Sequence, residues 1–242
     1  MVRIFDRKTK NIYEDKQYGV SYLRFLYGTF VGRILLKVII CPWFSKVNGW
    51  YNQSMYSKKK ISDFIKTQKI DMSLYENREY RSFNDFFIRK KKMINYDGSN
   101  NAFISPADSK VRVYKISDDL KINIKNSVYS LDELLKSKKS FKEFSGGNCL
   151  VFRLSVDDYH RYCFVDSGKV TAIKKINGVL HTVSSISDSY KVYSENSRIC
   201  SRLATDNFGE LIVVEVGALL VGKIHNHKIR FFNKGEENGS NN

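Results

Sequence analysis

The chain has 242 residues, of which 41 are basic and 25 acidic, for a net charge of +16; 42% are hydrophobic. That length allows one large domain, or a small domain beside a core domain, and buries a sizeable core. The composition excludes a disordered, collagen-like or disulfide-dense chain.

The charge is uneven. Residues 1–98 hold 20 Lys/Arg and 9 Asp/Glu, net +11, and residues 99–242 hold 21 and 16, net +5. An anionic partner for the first part is expected, and on charge alone both nucleic acid and an anionic membrane qualify. Cys41, Cys149, Cys163 and Cys200 are widely spaced, with no C-x-x-C pair. They signal neither a metal knuckle nor a disulfide framework and fit reduced thiols in the cytoplasm. No metal site is expected.

Residues 1–17 are polar, predict little order and lack the apolar core of a cleavable signal peptide. From Ser21 to Tyr51 the chain is strongly apolar, but Arg24, Arg33 and Lys37 interrupt it, so no window suits a membrane-spanning helix. Two short amphipathic helices are predicted, broken near Gly28 to Gly32 and ended by Pro42. Their basic residues, with Trp43 and Trp50, fit a segment lying in a membrane interface; packing on the protein's own core is the alternative. A further helix is expected after Lys58-Lys59-Lys60, with Ile61, Phe64 and Ile65 on one face. Ser82 is a candidate N-cap for a short helix bearing Phe83, Phe86 and Phe87. A turn-rich stretch from Asn95 to Asn101 marks the expected boundary between a basic helical region, 1–98, and a β-rich core, 99–242.

Beyond it Val111, Val113 and Ile116 alternate as a strand. Ile122 to Ile124 and Val128 are strand pieces, and Ser130 with Glu133 forms a capping box for a short helix. Strands are predicted over Val170 to Ile176 and Leu180 to Ile186 around an Asn177-Gly178 turn, over Leu211 to Val216, and over Lys228 to Phe232, the last with an unpaired edge. The fold class expected is α+β, with N-terminal amphipathic helices packed on a mostly antiparallel β core.

The richest chemistry lies between Leu150 and Cys163. Val151, Phe152 and Leu154 read as a strand that opens into Asp157, Asp158, Tyr159, His160 and Arg161. An imidazole, two carboxylates, a phenol and a guanidinium thus sit within five residues. Such a turn is also what a solvated strand end looks like.

Nine blocks, in order, resemble the phosphatidylserine decarboxylase family. They are Arg81-Ser82-Phe83-Asn84-Asp85-Phe86-Phe87-Ile88-Arg89; Ser105-Pro106-Ala107-Asp108; Tyr129 to Leu135; Arg153-Leu154 with Asp158-Tyr159-His160-Arg161; Gly178 to Val183; Glu195 to Arg198; Phe208-Gly209 with Val214 to Ala218; Val221 to Ile224; and Lys234-Gly235-Glu236-Glu237. The resemblance, closest to clostridial-type members, implies conversion of phosphatidylserine to phosphatidylethanolamine and CO₂ in phospholipid biosynthesis. It implies a zymogen that cuts itself before a serine, turning that serine into a pyruvoyl group, the cofactor, which holds the substrate amine as a Schiff base and acts as electron sink.

By the same resemblance Asp108 is the orienting carboxylate and His160 the base of the relay that drives self-cleavage. Cys163 stands where many members carry a second His, and Ser109 where the family usually has Gly. The implied partners are phosphatidylserine, an anionic membrane surface and an α subunit from the same precursor, with no nucleic acid. The implied location is peripheral, on the cytoplasmic face of the cell membrane. The family's Gly-Ser-Thr motif follows KGEE-x-G at a distance; here Gly239-Ser240 comes too early and lacks the Thr. Ser240 is therefore a weak candidate for the pyruvoyl serine. The sequence predicts that this serine and the α subunit are absent, with an inactive membrane-surface relic as the alternative function.

Overall fold

The computed structural model describes residues 3–7, 9–14, 19–124, 127–137, 141–187 and 190–242. The first stretch is more ordered than its polarity predicts: β1 (Arg3–Phe5) and β2 (Ile12–Glu14) pair as an antiparallel hairpin.

The apolar segment forms three helices rather than two. They are α1 (Val20–Gly28), α2 (Phe30–Ile39) and α3 (Pro42–Gln53). Thr29 caps α2 by accepting the Gly32 N–H. Pro42 opens α3, where its missing N–H costs nothing, instead of merely ending α2. At Gly32 a Cβ would fall 2.0 Å from the Phe25 carbonyl oxygen, so only glycine lets α1 and α2 cross this closely. Leu23, Leu26, Tyr27 and Leu36 fill the crossing. The opposite side stays open, with Phe30, Ile34, Val38, Trp43 and Trp50 exposed. Among the described residues no helix is long and apolar enough to cross a membrane.

A 3₁₀ turn over Met55–Lys60 leads into α4 (Ile61–Gln68). Ser82 caps α5 (Phe83–Phe87) by accepting the Asp85 N–H at 3.2 Å. Phe86 is fully buried against Ile61 and Tyr80.

All eight strand pairings are antiparallel among the described residues. β3 (Lys110–Lys115) pairs with β6 (Asn148–Arg153), and β4 (Lys121–Ile124) with β5 (Ser127–Ser130). Ser130 then caps α6 (Leu131–Leu135), accepting the Glu133 N–H at 3.1 Å as the capping box requires. A four-stranded sheet runs β10 (Gly209–Val216), β9 (Arg198–Thr205), β8 (Gly168–Ile176), β12 (Phe231–Phe232). A three-stranded sheet places β13 (Glu237–Asn241) between β11 (Ile224–Asn226) and β7 (Arg161–Cys163). The result is an α+β fold with a mostly antiparallel β part, as expected.

Two local expectations fail. The strand predicted over Leu180 to Ile186 does not form. Gly178 has no room for a Cβ beside the Glu195 carbonyl, and Leu180 donates to the Ile40 carbonyl at the end of α2. That stretch therefore joins the helical layer to α7 (Val192–Glu195), and β8 pairs instead with β9. The predicted last strand shrinks to two residues, and β13 beyond it is the last to pair. β12 is an edge, as expected, but the longer open edge is β10, which pairs only with β9 among the described residues.

One of the buried side chains that tie the helical layer to the β part is Tyr27. The Tyr27 hydroxyl accepts the Thr182 N–H and shares a hydrogen bond with Nδ1 of His181, both at 3.1 Å.

Candidate functional site

Between β6 and β7 the chain makes a tight turn whose polar groups satisfy one another. Asp158 accepts from the Ser155 N–H at 2.6 Å and from Lys110 Nζ at 2.7 Å, so β3 braces the turn. Burial pushes the Asp158 carboxyl up, against the pull of Lys110. Nε2 of His160 lies 3.0 Å from the Ser155 carbonyl oxygen, which can only accept. Nε2 therefore carries the proton, and the lone pair of the neutral ring sits on Nδ1. The ring packs on Phe87 with centroids 4.2 Å apart. Burial pushes the imidazole down to about 4, so at neutral pH it is uncharged and able to accept a proton.

The Ser105–Asp108 segment runs beside β7, where Cys163 N–H donates to the Pro106 carbonyl at 2.9 Å. The two predicted segments are thus neighbours. Their side chains are not yet partners: the half-exposed Asp108 carboxylate pairs with Lys91, and His160 with Ser155. Among the described residues no hydrogen bond joins Asp108 to His160. Burial pushes the Cys163 thiol up to about 11, which keeps it protonated and removes it as a base at neutral pH.

Ser240 lies in the middle of the three-stranded sheet, opposite Arg161 on one side and His225 on the other. It is buried, and the next residue, Asn241, donates its N–H to the His160 carbonyl at 3.1 Å. Arg161 ties three of the sequence blocks together, donating to the Ile88 carbonyl at 2.7 Å and to Glu237 at 2.6 Å.

Two participants escaped the sequence reading. Glu215 is buried on β10 and accepts from Asn226 (2.6 Å) and Asn238 (3.1 Å). Burial pushes it up to about 7. Its signal was a lone carboxylate inside the apolar run Leu211 to Val216. Arg89 is fully buried at the end of the Phe83–Phe87 helix, where a charge after an aromatic stripe was the available cue.

His160, Cys163 and Glu215 face a cleft of about 1680 Å³ whose wall is mainly apolar and also includes Phe87, Pro106 and Asn241. A large apolar cleft with a few convergent polar groups and shifted acid–base residues is the architecture of an enzyme site, here one roomy enough for a substrate with a long apolar part. The comparisons make the class specific. The family model for phosphatidylserine decarboxylase matches residues 83–240. A phosphatidylserine decarboxylase proenzyme 2 of Clostridium acetobutylicum is 54% identical, covering 98% of this chain and 83% of that protein. Phosphatidylserine decarboxylase proenzymes of Clostridium perfringens and Clostridium tetani are 39% and 40% identical, covering 99% and 93% of this chain and 85% and 78% of those proteins. The chain belongs to the phosphatidylserine decarboxylase family, a family of carboxy-lyases. These matches support the decarboxylase reading and do not favour the inactive relic.

Proposed function

We propose that this protein decarboxylates phosphatidylserine to phosphatidylethanolamine at a membrane surface, after maturing from a proenzyme into paired subunits. Loss of CO₂ leaves its bonding electron pair on the substrate's α carbon, which then takes up one proton. The electron sink for that pair would come from a pyruvoyl group. A mainly apolar cleft edged by a neutral imidazole fits such a carbonyl group, which needs a low-polarity wall and a proton-accepting neighbour.

The observation that carries the reading is His160: buried, neutral, its Nε2 proton engaged by Ser155, its Nδ1 lone pair left to act. In maturation His160 takes the hydroxyl proton of the serine that becomes the pyruvoyl group. Asp108 orients the base once it leaves Lys91 and replaces the Ser155 carbonyl as acceptor of the Nε2 proton. The protonated Cys163 thiol supports His160 over Cys163 in this role. Ser240 stays the lesser candidate for that serine, since both its neighbours in the sheet hold it in a regular ladder.

Residues 1–98 serve as the membrane-associating region and residues 99–242 carry the decarboxylase core. The exposed apolar face of α2 and α3, interleaved with Arg33, Lys37 and Lys46, supports peripheral binding to anionic lipid on the cytoplasmic face.

The test is release of CO₂ from phosphatidylserine vesicles by the purified full-length protein, with self-cleavage followed on a gel. His160→Gln and Asp108→Asn are expected to block cleavage, and with it CO₂ release. Undiminished cleavage in His160→Gln would overturn the assignment of the base. Tighter binding to nucleic acid than to anionic vesicles would overturn the membrane reading.

A further inference from the structure

Arg89 is fully buried, yet no carboxylate pairs with it among the described residues. An unpaired buried guanidinium is costly, and an apolar side chain of similar size would usually pack there at lower cost. What Arg89 does instead is collect carbonyls. Nη2 donates to the Asp157 carbonyl at 3.0 Å and reaches the Asp158 carbonyl and the Tyr75 hydroxyl at 3.5 and 3.4 Å. Nη1 reaches the Phe87 carbonyl at 3.5 Å, while Nε has no partner. The guanidinium lies over the rings of Tyr75 (4.5 Å) and Phe86 (5.0 Å), which fix its plane.

The two carbonyls it gathers belong to the residues immediately before Tyr159 and His160. Phe87, two residues before Arg89, supplies the surface on which the His160 ring lies. A single short segment, 86–89, therefore sets both the turn that carries the imidazole and the wall behind it. Neutral carbonyls do not cancel the guanidinium charge, so its field also reaches the ring.

We propose that Arg89 is the positioning residue for His160: its fork holds the 157–158 carbonyls so that the ring keeps Nε2–H on Ser155 and its Nδ1 lone pair free, and its charge opposes formation of an imidazolium. The charged groups that act on the ring are Arg89 and Lys110, which oppose its protonation, and Asp157, which favours it. Desolvation is the largest influence, and Arg89 adds to it. The proposal rests on His160 being the base, as set out above, but its test does not.

The test is a titration of the full chain carrying ¹⁵N-labelled histidine, with the His160 signals assigned by their loss in His160→Gln. In the wild type the ring should show the Nε2–H tautomer and stay neutral down to about 4. Arg89→Lys keeps the charge and loses the fork. It should keep the low midpoint but give a mixture of the two tautomers. Arg89→Met loses both, and its ring should in addition bind a proton about tenfold more tightly. An unchanged tautomer in Arg89→Lys would overturn the positioning role, and this variant decides the matter alone if Arg89→Met does not fold. A wild-type ring in the Nδ1–H tautomer would overturn it as well. CO₂ release left intact by His160→Gln would instead sink the reading of His160 as base, whatever the titration shows.

Discussion

In the helical layer Phe30, Trp43, Trp50, Met55 and Tyr56 are 66–81% exposed, whereas around the cleft and the main sheet Arg89, Arg198, Asp166, His160 and Glu215 are 0–8% exposed. The usual sorting of apolar inside and charged outside is reversed in both regions. The reversals have different physical supports. A buried charge survives only where the backbone or other polar groups satisfy it: Arg198 donates to four carbonyls, those of Glu133, Leu134, Ser194 and Asn196. An exposed aromatic face needs no such support, because no polar group loses its water there. The first reversal is thus held by contacts inside the molecule, and the second has no such contacts to hold it.

The contrast can be broken most severely at Arg198. Arg198→Met leaves its four carbonyls without their donor and should cost about 3–5 kcal/mol, read by denaturant unfolding. A loss under about 1 kcal/mol would mean that water replaces the guanidinium and that the charge is not held from within.

Next come the two cleft residues with opposite pH slopes. His160 is held at about 4, below its ordinary 6.5. The folded state therefore favours the neutral ring, and stability from this group is full above pH 6.5 and lost as pH falls through 4. The loss is up to roughly 3 kcal/mol. His160→Gln should remove that acid-side slope in unfolding curves between pH 4 and 6.5. Glu215 is raised from 4.5 to about 7, so its contribution is full below 4.5 and lost as pH rises through 7. Glu215→Gln should therefore gain on the wild type by roughly 3 kcal/mol between pH 4.5 and 7 and run parallel to it above. Parallel curves across that whole range would show that Glu215 is not held protonated by burial.

The smallest effect on stability belongs to the helical face. Phe30→Ser and Trp50→Ser should each change unfolding free energy by no more than about 0.5 kcal/mol. Each should nonetheless weaken partitioning onto anionic vesicles by roughly tenfold or more. A large stability loss with unchanged partitioning would assign the face to packing within the protein.

Much of this contrast was legible in the residues. Ser82 and Ser130 cap as their spacing predicts, because an N-cap is a local contact set by three or four neighbours. The apolar face with interleaved Arg33 and Lys37 showed as helical periodicity for the same reason. The cleft was legible only in part. His160 stood out through its dense neighbourhood, and Asp108 through the family resemblance. Lys91, Lys110 and Arg89 did not, since their partners lie 17, 48 and 68 positions away. The missing strand over Leu180 to Ile186 failed for the same physical reason. Its apolar residues and the Asn177-Gly178 turn suggested a strand, but a long-range contact with Ile40 and the tight Gly178 turned it toward the helices.

The close crossing at Gly32 has a consequence for how freely this protein can vary. The angle between α1 and α2 is set there by backbone against backbone, with no side chain in between. The outward residues of α2 can thus be exchanged among apolar types without altering the orientation of the face they form. Position 32 has no such latitude: Gly32→Ala drives a methyl group into the Phe25 carbonyl, and the helices must part to admit it. The shape of the face is stored in one residue, and its stickiness is spread over many.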